Sequence, residues 1–258
     1  MLKKRIIPTL LYKELGLVKG SKFTSMRRLG PVLPAIKVYN SREVDELIFL
    51  DIAASNNNSV VDYDIISEFS KFCFVPLTVG GGIDSVEKVN KLLEIGADKI
   101  SINSAAYGNP NLVEQIANQF GSQCIVCSVD AKKINNNWTC FSNSGTNNKD
   151  ICPVRWCKRL EDLGAGEILI TSIDKDGTNK GYDLELIQNI TSEVKIPVIA
   201  SGGAGNYDHM YKAIELSGAS AVAAASIFHF TEMTPNEAKL YLESKGIPIR
   251  KSCTLEDT

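Results

Sequence analysis

The chain has 258 residues, 44% hydrophobic and 22% charged, with 28 Lys+Arg against 30 Asp+Glu for a formal net charge of −2. That composition fits a globular protein with a sizeable core, and it offers no single-signed field to gather nucleic acid or an anionic membrane. The opening stretch MLKKRIIPTLLYKEL holds neither a leader core nor a membrane span, so a cytoplasmic setting with reduced cysteines is expected.

Along the chain, short runs rich in Ile, Val and Leu recur at 6–11, 46–51, 75–79, 99–103, 124–130, 167–172, 197–201 and 220–225. Runs without polar alternation suit strands covered on both faces, as in a parallel sheet. The intervening stretches carry helical spacing; Val86, Val89 and Leu93, for example, fall on one helix face. Eight strands, each followed by a helix, predict an α/β fold of the (β/α)8 TIM-barrel type, one domain over 1–258. A doubly wound open sheet fits the alternation too, but an internal repeat favours the barrel. Glu46 and Glu167, Gly82 and Gly203, and Lys99 and Ser220 occupy matching places, each pair 121 residues apart. Two fused half-barrels would leave that pattern.

The repeat also duplicates a Gly-rich turn, Val79-Gly80-Gly81-Gly82 after the third strand and Ser201-Gly202-Gly203-Ala204-Gly205 after the seventh. Each is followed by a helix start with small residues, Asn103-Ser104-Ala105 in one half and Ala225-Ser226 in the other. Backbone N–H groups at such starts seat anions, and in this fold phosphate often sits between the last two loops. One copy alone is equally well explained by tight helix–strand packing. Two copies predict two phosphate groups on opposite sides of the mouth, hence an elongated, dianionic ligand. No GxGxxG or Walker sequence accompanies them.

Carboxylates end several strands. Asp51 closes the second, Asp130 the fifth, and Asp176-Gly177 follows the sixth. At a barrel's C-terminal face such groups point into the reacting space, and Asp130 is the candidate catalytic acid or base. Asp-Gly is also a common turn pair, which is the plain alternative for Asp176. Cys124 and Cys127 form a CxxC expected on a strand, pointing to opposite faces as two buried thiols. Cys140, Cys152 and Cys157 lack zinc spacing, and His209 and His229 are too separated for a cluster. No metal site is expected. Trp138, among asparagines, is expected in a hairpin insertion after the fifth strand.

Several longer segments stand in a telling order: Arg5-Ile6-Ile7-Pro8, Leu50-Asp51-Ile52, Leu77-Thr78-Val79-Gly80-Gly81-Gly82-Ile83, Ala97-Asp98-Lys99, Phe120-Gly121-Ser122-Gln123, Thr171-Ser172-Ile173-Asp174-Lys175-Asp176-Gly177-Thr178 and Ile196-Pro197-Val198-Ile199-Ala200-Ser201-Gly202-Gly203. Together they resemble the cyclase subunit of imidazole glycerol phosphate synthase over nearly the whole chain. The resemblance implies an enzyme without cofactor that takes ammonia from a separate glutaminase subunit through the barrel. The ammonia attacks a bisphosphorylated ribulosyl-formimino substrate, giving imidazole glycerol phosphate and an aminoimidazole carboxamide ribotide. It implies an ammonia entrance at Arg5, Glu46, Lys99 and Glu167, a glutaminase contact at Asp98, and substrate contacts at Lys19, Asp51, Gly82, Asn103, Asp176 and Gly203. Lys19 would lie on a mobile lid loop after the first strand.

One departure stands out. The family's first strand ends in an aspartate that partners the aspartate of the fifth. Setting Lys13 against Lys132 puts Leu11 opposite Asp130, and Leu cannot move a proton. A kept entrance with a lost acid is similar to a divergent branch in surface-polysaccharide (lipopolysaccharide) gene clusters. There, with a glutaminase and a further amidotransferase, an acetamido sugar is thought to become an acetamidino sugar. The acceptor would then be a small phosphorylated or nucleotide-linked sugar. Two other classes compete: a stand-alone phosphosugar isomerase, against which Leu11 speaks, and a non-catalytic barrel that only activates a glutaminase.

Overall fold

The computed structural model describes residues 3–14, 16–54, 59 and 61–250. In chain order the strands and helices are β1 (Arg5–Lys13), β2 (Gly16–Ser21), β3 (Thr24–Gly30), α1 (Val32–Ser41), β4 (Leu47–Asp51), α2 (Tyr63–Ser70), β5 (Leu77–Gly80), α3 (Val86–Glu94), β6 (Lys99–Ile102), α4 (Ser104–Gly108) and α5 (Asn111–Phe120). They continue with β7 (Ile125–Ile134), β8 (Asn137–Ser142), β9 (Asn147–Asn148), α6 (Pro153–Asp162), β10 (Glu167–Ser172), α7 (Leu184–Thr191), β11 (Val198–Ser201), α8 (Tyr207–Glu215), β12 (Ala221–Ala224), α9 (Ser226–Phe230) and α10 (Pro235–Ser244). All eight apolar runs are strands. They pair in parallel in the order β1, β4, β5, β6, β7, β10, β11, β12 and back to β1, closing the barrel.

Strand alternation sorts the apolar residues into two cores. Ile6, Leu10, Leu47 and Phe49 belong to the outer core, with the helices. Ile7, Ile48, Val126, Leu169, Ile199, Ala221 and Ala223 fill the lumen. The half-barrel repeat is visible in detail: β5 and β11 begin 121 residues apart, as do α3 and α8. The caps repeat as well. Ser85 accepts the Lys88 N–H and Asn206 the His209 N–H, each satisfying an otherwise orphaned helix-start donor.

Two expectations are corrected. The segment after β1 is not a loop: β2 and β3 form an antiparallel hairpin, and β2 pairs back onto β1. Lys19 therefore sits on a strand. Cys124 lies in a 3-10 turn at Ser122–Cys124, leaving only Cys127 on the strand, because the carbonyl of Gly121 takes the Cys124 N–H before β7 begins. Trp138 is in a hairpin insertion, with β8 antiparallel to the end of β7. At the other end of the barrel, α10 is tied down by a buried ion pair, Lys239 Nζ to Asp45 Oδ1 at 2.8 Å. Among the described residues no helix is long and apolar enough to cross a membrane.

Candidate active site

Parallel closure puts the C-terminal ends of all eight strands at one face, where they surround a cavity of about 510 Å³. Asp130, near the middle of β7 where the strand leaves the barrel for its hairpin, lines it at 7% exposure. Its Oδ2 accepts from Asn103 Nδ2 at 2.7 Å. Burial pushes the Asp130 carboxyl up to about 7; the Asn103 hydrogen bond works against that and the Asp176 charge adds to it. A carboxyl poised there can both take and give a proton near neutral pH. Asn103 spends its amide N–H on Asp130, and its Oδ1 is buried without a hydrogen-bond partner. Leu11 lines the same cavity from β1, and its register partner on β4 is Leu50.

Lys19 also reaches the cavity, yet it is only 4% exposed and does not stand free. Its Nζ bonds both oxygens of Asp176, at 2.7 and 2.9 Å. The Asp176 carbonyl accepts the Lys22 N–H at 2.8 Å, so the turn after β10 holds the hairpin in two ways. Gly177 belongs to that contact: a Cβ there would collide with Gly20 O. Asp51 Oδ1 accepts the Ala53 and Ala54 N–H groups at 3.0 and 3.1 Å. Burial raises its pKa against those two bonds.

The Gly-rich turns prove to need glycine for a backbone reason. Gly82 and Gly203 have φ of 62° and 109°, and a Cβ would collide with Ser59 O and Gly181 O respectively. Side chains are thus excluded by neighbouring backbone, as the packing alternative holds. The helix starts remain open to the cavity at Asn103, Ser104, Ala225 and Ser226. Ser104 Oγ is engaged, accepting the Asn143 N–H at 3.0 Å from the turn between β8 and β9.

At the opposite end of the lumen four side chains form a closed ring. Arg5 meets Glu46 at 2.7 Å and Glu167 at 2.9 Å; Lys99 meets the same two carboxylates at 3.0 and 3.3 Å. Charges alternate around it, and each side chain keeps 9–19% of its surface exposed. Burial alone would lower the Arg5 pKa, but Glu167 and Glu46 outweigh it and raise it. Asp98 lies at the same end, exposed, and its carboxylate accepts the Leu77 N–H at 2.8 Å.

Several mouth residues were not legible in the sequence. Phe23 and Met26 enter from the hairpin, and Thr9, Ser128, Thr171 and Ser201 enter from the strands. Period-2 alternation marks the strand residues once the inward phase is set by Asp130. The hairpin carries no such signal. The remaining candidates lie elsewhere: Cys127, Cys140 and Cys157 are buried, and Trp138 Nε1 donates to Asp183 Oδ2 at 3.2 Å. Among the described residues no cluster of His, Cys, Asp or Glu is arranged to hold a metal ion.

The family model described as "Histidine biosynthesis protein" matches residues 5–234, from the first residue of β1 to the N-cap of α10.

Proposed function

The chain belongs to the family of histidine biosynthesis proteins, and from that premise we propose that it is a cyclase-subunit-like synthase barrel of the imidazole glycerol phosphate synthase type. In this reading a glutaminase docks around Asp98, and ammonia enters through the Arg5–Glu46–Lys99–Glu167 ring. It then crosses the lumen and attacks a phosphorylated, sugar-type acceptor at the mouth. The observation that carries the reading is the closed ring of alternating charge on the barrel axis, directly below a cavity holding a carboxyl poised near neutrality. A salt-bridge cluster that only stabilises the barrel's N-terminal face is the plain alternative; the poised carboxyl at the far end of the same lumen favours the conduit.

The chemistry asks little of the protein. Ammonia's lone pair attacks an electrophilic carbon, the nitrogen gains positive charge, and Asp130 takes the surplus proton. The same group then returns it to the departing oxygen. Asn103 positions Asp130, and the two helix starts seat the acceptor's anionic ends. Leu11 supplies no second acid, which favours a specialised paralogue, including a role in acetamidino-sugar formation beside a further amidotransferase, over the histidine-pathway cyclase itself.

Co-expression with the glutaminase encoded nearest its gene tests this. A stable complex with stimulated glutamine hydrolysis is expected. Asp98→Asn keeps the acceptor for the Leu77 N–H while deleting the charge, so it should weaken the complex without lowering the melting temperature. A glutaminase that neither co-purifies nor is stimulated would sink the ammonia-transfer reading.

A further inference from the structure

The 121-residue repeat gives the two Gly-rich turns matching places, yet the residues around them do not match. Where the first half has Asp51, Asp84 and Asn103, the second has Ser172, Gly205 and Ala224. All three first-half residues line the cavity. Asp84 stands two residues ahead of α3, its side chain 62% exposed and paired with Lys88 Nζ at 2.7 Å. The same Nζ donates to Gly82 O at 3.2 Å, and Lys88 does not line the cavity. The carboxylate therefore borders the ligand space and the cation that balances it does not. An exposed pair four residues apart adds little stability, so stability alone is a weak reason for it. In the second half the place of Lys88 is taken by His209, whose Nδ1 accepts the Gly205 N–H at 3.2 Å. None of the three matching positions there is acidic. Asp183 accepts the Ser172 hydroxyl but does not line the cavity, and Asp176 is balanced by Lys19.

Hydrogen-bonding sense divides the two ends in the same direction. Asn103 Nδ2 is spent on Asp130, and its Oδ1 is buried without a partner. A buried acceptor left unpaired is costly until a ligand brings an N–H or O–H to it. A phosphate dianion cannot supply that. It carries acceptor oxygens only, and beside Asp51 and Asp84 it would also meet like charge. A hydroxyl or an amine can donate to each of the three side chains. At the other end Ala224 and Ala225 offer no side-chain acceptor, so no such conflict arises.

We propose that the mouth is polarised. The acceptor's fully charged phosphate goes to the Gly203–Ala225 end. The group at the Gly82–Asn103 end carries at most one negative charge and brings an O–H or N–H of its own, and Asp84 is the residue that enforces this order. The proposal rests on the reading above that the mouth seats an anionic acceptor, and it fixes the direction in which that acceptor lies across the cavity.

Isothermal titration with glucitol 6-phosphate and glucitol 1,6-bisphosphate, open-chain probes that differ by one phosphate, tests the proposal. The monophosphate should bind roughly tenfold more tightly, the scale of one like-charge contact avoided. Asp84→Asn keeps an oxygen for Lys88 Nζ and removes the charge at an exposed position, where folding is little at risk. It should narrow or erase the preference. Two matched variants locate the phosphate. Ala225→Asp should abolish monophosphate binding, and Ser104→Asp, its counterpart 121 residues earlier, should leave it intact. In crystals soaked with tungstate, one ion should appear beside Gly203, and a second beside Gly82 only in Asp84→Asn. The order is overturned if the bisphosphate binds as tightly as the monophosphate, or if the preference survives Asp84→Asn. Loss of binding in Ser104→Asp instead of Ala225→Asp, or tungstate at both ends of the unmodified protein, overturns it equally. In each of those cases the mouth still takes an anion and the reading above stands. If neither probe binds at millimolar concentration, the anionic acceptor itself is refuted and the order falls with it.

Discussion

At the residue scale, the mouth turns on Asp130 and the uncharged side chain across from it. Burial raises the Asp130 carboxyl to about 7, against about 4 for an unfolded aspartate. The folded state therefore holds its proton more tightly than the unfolded chain. This contribution to stability is complete below about pH 4 and is lost as pH rises through about 7. Asp130→Asn keeps an acceptor for Asn103 Nδ2 and removes the charge. It should raise the melting temperature at pH 8, by up to about 4 kcal/mol of stability, and by much less at pH 5. Thermal scans at the two pH values decide it; an equal gain at both would mean that the carboxyl is not perturbed. Leu11 is the other half. With ammonium supplied and the imidazole precursor as substrate, the unmodified protein should be roughly 10²–10⁴-fold slower than an enzyme with a paired acid. Leu11→Asp should recover part of that. Turnover at a full cyclase rate by the unmodified protein would return it to the ordinary biosynthetic role. Leu11 was singled out in the sequence by the resemblance, which expects an aspartate at that strand end, once Lys13 was set against Lys132; the structure places it at the cavity. Asn103's dual state, one amide atom spent and the other orphaned, was not legible there. It depends on which rotamer the packing allows.

At the element scale, strands buried on both faces announce themselves, since a run such as Glu167–Ser172 has no polar alternation to confuse it with a surface strand. The helix at Val86–Glu94 was equally legible, from the spacing of Val86, Val89 and Leu93. What failed is the segment after β1. Gly16–Ser21 and Thr24–Gly30 form a hairpin, but β3 reads TSMRRLG, whose exposed Arg27 and Arg28 carry no alternation to announce a strand. Only tertiary contacts fix it: pairing onto β1 and the Lys19–Asp176 ion pair. That pair, buried and bidentate, sets the element's position. Lys19→Met should free the hairpin and leave the Asp176 charge uncompensated. The expected readouts are faster backbone amide exchange over 16–30 and a loss of the roughly 3–5 kcal/mol of stability typical of breaking a buried pair. Asp176→Asn, which keeps the Lys22 N–H and Ser21 hydroxyl hydrogen bonds to the turn carbonyl, should loosen the hairpin less. Exchange unchanged in both variants would show that strand pairing alone suffices.

At the scale of the whole molecule, the two ends of the barrel are built by different means. The mouth end is roofed by hairpins, whereas beside the ring end α10, a helix of the outer layer, is held by the apolar packing of Ala238 and Leu242 and by a buried charged contact that the sequence did not disclose. Lys239 and Asp45 are 4% and 2% exposed. Lys239 Nζ also donates to Glu43 O at 2.6 Å, and Asp45 Oδ2 accepts the Ile6 N–H at 2.9 Å. A single carboxylate thus joins the C-terminal helix to the start of β1, and the next residue along, Glu46, is a member of the charged ring. No spacing rule links positions so far apart in sequence, which is why this lock was invisible until the fold brought them together. Lys239→Ala would strand a buried anion and should cost about 3–5 kcal/mol. For a chain of this size that is roughly a 10 °C fall in melting temperature. Adding Asp45→Asn to Lys239→Met should recover part of the loss, because Asn still accepts the Ile6 N–H but carries no charge to strand. If the double variant is no more stable than Lys239→Met alone, the lock is a matter of packing and not of charge. Because Asp45 adjoins Glu46, the single variant should also disturb the ring and, under the proposed function, weaken coupling to the glutaminase while leaving binding of phosphorylated probes at the mouth, a barrel's length away, unchanged.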